Sequence, residues 1–287
     1  GRITHRYPHC ADWRAIVYWF AGSTAQGVAV VVIAVDNLSL RVSGFDLLRD
    51  LSFVANAGEV TVVVGPNGAG KSSLLKVLVG DMAQTSGEVR LNYRELASWA
   101  VGDKARVLAA LPQHSVLNFP FTAAEVVHLG RIPHRTGIQR DAQIVDRALA
   151  RVDAKYLQKR FDTQMSGGER QRVQLARVLA QISEPSSLGE RFLILDEPTS
   201  AFDLAHQKLT LALVRELAGS GIGVVMVLHD LNLAARCADK ILVLDGGRIA
   251  AQGTPAEVLT RAVIDQVFGV DVEIGEHPIT HQLMVIS

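Results

Sequence analysis

Gly65-Pro66-Asn67-Gly68-Ala69-Gly70-Lys71-Ser72 is the stretch that most narrows what this chain can fold into. An apolar β-type run, Val60-Thr61-Val62-Val63-Val64, precedes it, and a helical pattern from Ser73 to Val79 follows. Strand, glycine-rich loop and helix in that order are what a phosphate-binding P-loop needs. The glycines let backbone N–H groups turn inward around a polyphosphate, and the start of the helix adds a favourable dipole. On this reading Lys71 reaches the β- and γ-phosphates and the Ser72 hydroxyl is a ligand for Mg²⁺, with Ser73 opening the helix. The chain is expected to bind a nucleoside triphosphate.

Acidic and basic residues balance, 29 against 29 in 287 residues, so no net field draws the chain to nucleic acid or anionic lipid. Few aromatics beside abundant Val, Leu, Ala and Gly suit an α/β protein built on a parallel sheet. Cys10 and Cys237 form no metal-ligand or redox spacing, and a reduced cytosolic compartment is the simplest setting.

The N-terminal stretch differs from the rest. Arg2, His5, Arg6 and Arg14 precede an uncharged run from Ala15 to Val35, about long enough to span a bilayer. Gly22-Ser23-Thr24-Ala25-Gln26-Gly27 interrupts that run with polar and helix-breaking residues. Residues 1–32 are therefore read as a non-essential extension rather than an anchor or signal sequence, and 33–287 as the domain.

Alternation from Ile33 to Val42 predicts a strand, Ser43-Gly44 a turn, and Leu47 to Val54 a second strand. Thr85-Ser86-Gly87-Glu88 reads as another turn and Val89-Arg90-Leu91 as a strand. Val107 to Pro112 reads as a short buried strand ending at Gln113. Apolar residues recur at helical spacing over Thr122–Leu129 and Asp141–Leu157, with a Gly/Pro loop, Gly130 to His134, between them. A helical insertion covering roughly 114–182 follows from this. Ser166, with Glu169 three positions on, predicts a capping box opening a helix to about Ile182.

Phe192-Leu193-Ile194-Leu195-Asp196-Glu197 reads as a buried strand that delivers two carboxylates to its C-terminal end, where open α/β sheets place their ligands. Asp196 would hold Mg²⁺ through water, and Glu197 would polarise the water attacking a phosphoanhydride. Helix Leu204–Ala218, strand Gly223–Leu228, helix Leu231–Ala238, strand Lys240–Leu244 and two short C-terminal helices complete the pattern. His229 ends the strand before its helix and could sense a γ-phosphate.

These motifs exceed a generic P-loop enzyme. Ser166-Gly167-Gly168-Glu169 followed by Arg170-Gln171-Arg172 resembles the signature of ATP-binding cassette (ABC) ATPases. Gln113 is similar to the family's Q-loop glutamine and a further Mg²⁺ ligand, Ser200-Ala201-Phe202-Asp203 to its D-loop, and His229 to its switch histidine. The motifs follow the family's order from Gly65 to His229. The resemblance implies an α/β fold: a P-loop NTPase (ABC ATPase) core with an antiparallel β subdomain and a helical subdomain. It implies ATP and Mg²⁺ as cofactors, and a homodimer in which each P-loop sandwiches ATP against the partner's signature. An aromatic usually stacks on the adenine from the loop after the first strand; here the matching position is Val42, with Phe45 or a weaker apolar contact as substitutes, so strict selection of ATP over GTP is not implied.

Phe119-Pro120-Phe121-Thr122 and Gly130-Arg131-Ile132-Pro133-His134 are similar to the helical region of cassettes serving iron-siderophore, haem and cobalamin importers, haemin foremost. That branch implies a peripheral protein on the cytoplasmic face of a bacterial inner membrane. It would work beneath two copies of a transmembrane permease, reached through the groove near Gln113, with a periplasmic haem-binding protein acting indirectly. His114, His128 and His134 are read as surface or packing residues rather than iron ligands. Soluble ABC ATPases acting on ribosomes or DNA usually carry tandem cassettes or basic surfaces, which this sequence lacks, and no nucleic-acid partner is expected.

Overall fold

A computed structural model describes residues 32–113, 120–280 and 282–286. The expectations for residues 1–31 and for His114 and Phe119 lie outside the described residues.

β3 (Val60–Val64) is buried at every position. Five further strands join it: β6 (Leu108–Leu111), β7 (Phe192–Asp196), β8 (Gly223–Val227), β9 (Lys240–Asp245) and β10 (Arg248–Gly253). Their order is β10-β9-β3-β8-β7-β6, parallel except for β10, which returns antiparallel along β9. A parallel sheet covered on both faces needs apolar residues at both parities, which explains the unbroken Val/Ile/Leu runs. The two faces serve different cores. Val62, Leu193, Met226 and Ile241 join one; Val63, Ile194, Val227 and Leu242 join the other.

The second core is closed by an antiparallel sheet of β1 (Val32–Val42), β2 (Phe45–Asn56), β4 (Ser86–Leu91) and β5 (Arg94–Glu95), ordered β2-β1-β4-β5. Ser43 and Gly44 turn the first hairpin, both with positive φ. The simple alternation expected along β1 is broken. Asn37 adopts φ 47° where the register with β2 shifts between Val35 and Leu38. This bulge resets the parity, so Ile33, Val35, Leu38 and Leu40 all reach the same core. Of the turn expected at Thr85–Glu88, all but Thr85 is instead the start of β4, paired with β1 through Asp36 and Glu88.

α1 (Lys71–Val79) packs Leu74, Leu75, Val77 and Leu78 into the second core. α2 (Val101–Val107) was not expected; of its residues only Val107 is buried. On the first core lie α3 (Ala123–Leu129), α4 (Ile138–Arg151) and α5 (Gly167–Gln181), packed on one another. The helix expected to reach Leu157 stops at Arg151, because Asp153 turns left-handed (φ 51°) before a short 3-10 turn at Lys155–Leu157. Between α3 and α4, Arg131 is 1% exposed; its Nε donates to Asp141 Oδ1 at 2.8 Å and its Nη1 to the carbonyl of Ala180 at 2.8 Å. Its Nη2 donates to Glu184 Oε2 at 2.5 Å. His134 Nε2 pairs with the Gln181 carbonyl at 2.7 Å, while His128 is exposed.

α6 (Leu204–Gly219), α7 (Leu231–Cys237), α8 (Pro255–Val258) and α9 (Arg261–Phe268) complete the α-helices of the described residues. A hairpin of β11 (Glu273–Glu276) and β12 (Leu283–Ile286), absent from the sequence reading, docks on α7. Asn232 fixes it by donating to the Val285 carbonyl at 3.0 Å and accepting from the Val285 N–H at 2.8 Å. Among the described residues no helix is long and apolar enough to cross a membrane.

Candidate nucleotide site

The loop after β3 is shaped by positions that no side chain fits. Gly65 lies at φ 152°, and a Cβ there would collide with the carbonyl of Leu244. Gly70 lies at φ 100°, where a Cβ would sit 2.8 Å from the Leu47 carbonyl. The Gly247 N–H donates to the Ala69 carbonyl at 3.1 Å, fixing the loop to the turn after β9. Pro66 is half-buried, Asn67 and Gly68 are exposed, and Ala69 is buried. The helix begins at Lys71, two residues earlier than the pattern from Ser73 suggests.

Lys71 is 7% exposed, and its Nζ curls back to the carbonyls of Gly65 and Pro66 at 2.8 and 2.9 Å. Burial lowers its pKa, partly offset by the charges of Glu197 and Asp196. Asp196 ends β7, 8% exposed. Burial pushes its carboxyl above the usual range, against a hydrogen bond from Ser72. Asp196 Oδ1 is buried with no hydrogen-bond partner among the described residues. A buried acceptor beside a serine hydroxyl and a lysine is a donor set suited to a divalent cation carrying phosphate oxygens.

Glu197 follows in a left-handed conformation, φ 50°. Gln113 Nε2 donates to its Oε2 at 3.0 Å, and His229 Nε2 meets its Oε1. Gln113 comes from the end of β6 and His229 from the end of β8, so three parallel strands deliver the three side chains to one rim. Asp230, next to His229, caps α7 by accepting from the N–H groups of Asn232 and Leu233.

The signature lies elsewhere. Ser166 caps α5: its Oγ accepts from the Glu169 N–H at 3.2 Å, and Glu169 Oε2 accepts from the Ser166 N–H at 2.8 Å. The Ser166 N–H holds the Glu169 carboxyl below its usual range, against a smaller opposing effect of burial. The Ser166 hydroxyl also hydrogen-bonds the Glu169 carboxyl, on an exposed residue at a helix start, a position suited to an anion. Ser166, Gly168 and Glu169 line a groove with Ala201, Phe202 and Asp203, and no P-loop residue lines it. Gly167 is exposed beside it. Ser200 donates to the Glu197 carbonyl through its N–H (3.3 Å) and its Oγ (3.1 Å). Asp203 caps α6, accepting from the His206 N–H at 2.9 Å.

Arg172 and His206 line this groove too, and Gln171 reaches the Glu197 carbonyl; the sequence offered Gln171 and Arg172 only as part of the signature resemblance and gave His206 no role. Each sits in a helical pattern whose neighbours explain it as ordinary surface, and only the fold brings them together. Asp203 as an N-cap was legible from an Asp directly before Leu204, and was missed.

Known proteins match this arrangement. The family model described as ABC transporter matches residues 48–200. The Hemin import ATP-binding protein HmuV of Pseudomonas entomophila is 48% identical over 256 residues, 89% of this chain and 100% of that protein. The protein of the same name from Plesiomonas shigelloides is 46% identical over 260 residues, 87% of this chain and 99% of its own. A solved structure of a candidate metal-chelate type ABC transporter, in an inward-facing conformation, superposes with a TM-score of 0.73 at 27% identity, covering 89% of this chain and 96% of that one. The P-loop NTPase core with its antiparallel sheet and packed helices is accordingly the ABC ATPase fold, and the chain belongs to the ABC transporter family as an ATP-binding transport ATPase.

Proposed function

We propose that the chain is the ATP-hydrolysing subunit of a bacterial haemin importer. It would act as a homodimer on the cytoplasmic face of the inner membrane, beneath two copies of a separate permease fed by a periplasmic haem-binding protein. The observation that carries the ATPase half of this reading is the convergence of Gln113 and His229 on Glu197, beside Lys71 and Asp196. The cargo rests on relatives named for hemin import that align over their full length.

In this reading Gly65 to Ser73 cradle the phosphates, and Lys71 exchanges its two carbonyl partners for phosphate oxygens. Ser72, Asp196 and Gln113 would hold Mg²⁺, which supplies charge neutralisation on the β- and γ-phosphate oxygens. Glu197 orients and polarises a water; the water oxygen bonds to the γ-phosphorus as the bridging P–O bond breaks, and the water's proton passes to the carboxylate. His229 donates to the γ-phosphate. Both oxygens of Glu197 are occupied in the single chain, so hydrolysis requires those bonds to be exchanged. A second cassette presenting its Ser166 provides the occasion.

The test is a pull-down of the Glu197→Gln chain with ATP from membranes of its own cells, followed by ATPase assays with a wild-type cassette. Recovery of a multispanning permease whose ATPase is stimulated by haem-loaded binding protein is expected. A second reading, import of a siderophore or other metal chelate, is favoured by the likeness to the metal-chelate type transporter; a permease stimulated by a loaded siderophore-binding protein and unresponsive to haem would select it. Recovery of ribosomes or DNA-binding proteins without a permease would overturn both.

A further inference from the structure

Three contacts tie α5 to the segment that follows β7. Gly168 lies against the carbonyl of Ala201, where a Cβ would sit 3.0 Å away. Gln171 Nε2 donates to the carbonyl of Glu197 at 3.1 Å. Arg172, 6% exposed, donates through Nη1 to His206 Nε2 at 2.8 Å. Arginine has no acceptor, so the His206 ring proton sits on Nδ1, which donates to Asp203 Oδ1 at 2.8 Å. Neighbouring residues of one helix thus hold both ends of the stretch from Glu197 to Asp203.

The Glu197 end is the strained one. A glutamate at φ 50° is strained and persists only if its surroundings fix it. Its carbonyl accepts three hydrogen bonds. The two from Ser200 close a local turn and travel with it. The one from Gln171 comes from another element and ties the glutamate backbone to the helix that Ser166 begins. Gln171 pays for this contact in part, because its Oε1 is buried without a hydrogen-bond partner among the described residues.

We propose that Gln171 is a positioning residue for ATP hydrolysis: through the Glu197 carbonyl it sets the direction of the Glu197 carboxylate and passes the position of the signature helix to the reacting centre of the same chain. This rests on the reading of Glu197 as the group that activates water. A helix transmits small displacements along its length, so seating of Ser166 on a phosphate carried by a second copy shifts the donor on which the left-handed backbone of Glu197 depends.

The test is Gln171→Met in the full chain, which keeps length and helix propensity and removes the amide. The Glu197 carbonyl retains both Ser200 donors, and the unpartnered Oε1 disappears, so no stability cost is expected. The expected result is a melting temperature equal to wild type or higher, unchanged affinity for a fluorescent ATP analogue, and kcat about 10–100-fold lower with KM little changed, the scale of a misplaced reacting group. Gln171→Ala supplies the same comparison should the Met variant fail to fold. A kcat within about twofold of wild type would overturn the proposal, as would a loss of activity matched by loss of stability and nucleotide binding. Glu197→Gln run alongside separates the two ideas. If it is inactive and Gln171→Met is fully active, only the positioning role falls; if Glu197→Gln turns over at the wild-type rate, the assignment of the base falls and the positioning role with it.

Discussion

Oε1 of Glu197 is held by Nε2 of His229, a residue 32 positions further along the chain. The pairing follows from strand order alone: β7 and β8 are parallel neighbours, with Asp196 opposite Val227, so residues just past their ends stand side by side. Glu197→Gln should therefore bind ATP as the wild type does, accumulate an ATP-bound dimer on size-exclusion chromatography, and lose turnover by about 100-fold or more in a phosphate-release assay. His229→Ala should lower kcat by about 10-fold or more without weakening nucleotide binding.

The buried cluster around Arg131 predicts acid sensitivity. Burial pushes the Asp141 carboxyl up, but bonds from the Thr136 hydroxyl and the Arg131 guanidinium outweigh it and hold the carboxyl below its usual range. Glu184 behaves alike, with burial opposed by Arg140 and Arg131. For a carboxyl depressed in the folded state, the stabilisation is complete above the unfolded pKa, about 4, and is lost as pH falls through the lower folded value. Urea midpoints measured between pH 5 and pH 3 should fall, and fall less in Asp141→Asn. Arg131→Ala should cost about 3–5 kcal/mol at neutral pH, since it leaves Asp141 buried without its counter-charge.

Two loop glycines should respond differently to the same substitution. Gly68→Ala adds a methyl group to open space at φ 79° and should cost on the order of 1–2 kcal/mol of backbone strain. Gly65→Ala must displace the Leu244 carbonyl, and should abolish ATP binding as well as destabilise the fold. Equilibrium ATP binding and thermal unfolding of the two variants distinguish the cases.

Cys237 should be chemically inert until the protein unfolds. Its thiol is 2% exposed and its pKa is pushed up to about 12 by burial, so the reactive thiolate is scarce at neutral pH. Alkylation at this site, followed by mass spectrometry at pH 8, should be negligible in the native chain and complete in denaturant.

Phe45 should contribute to binding of the base. It stands 74% exposed at the tip of the β1–β2 hairpin, opposite Val42, and the same strand passes Gly70 at Leu47. Phe45→Ala should weaken ATP binding by about 0.5–1.5 kcal/mol, with GTP affected differently, in parallel titrations of the two nucleotides. A Val42→Ala variant that carries the whole effect would move the contact to the other strand.

Local rules made much of this legible. The P-loop needs glycine conformations and a strand–helix context within a few residues, and the capping box at Ser166 needs only one interval. Phe192–Leu195 is apolar at both parities, which a strand buried on both faces demands. The sequence was silent where the determinant was remote or weak. α2 buries a single residue, so no period marks it. β10 is half-exposed and runs into Gly253, so no alternation marks it either. The bulge at Asn37 is invisible to any pattern that assumes a regular pleat. Gln171, Arg172 and His206 depend on which helix lies against which loop, and no interval along the chain encodes that.

The sheet that separates the two cores is a party wall, and its strands are dealt out residue by residue to either side. Neither tenant can subside alone: a void opened behind Val62 or behind Val63 tilts the same strand, and the tilt is read at its end, where the loop leading to Lys71 begins. Substitutions far from ATP, on opposite faces of the molecule and never in contact with one another, should consequently converge on the same defect in nucleotide handling.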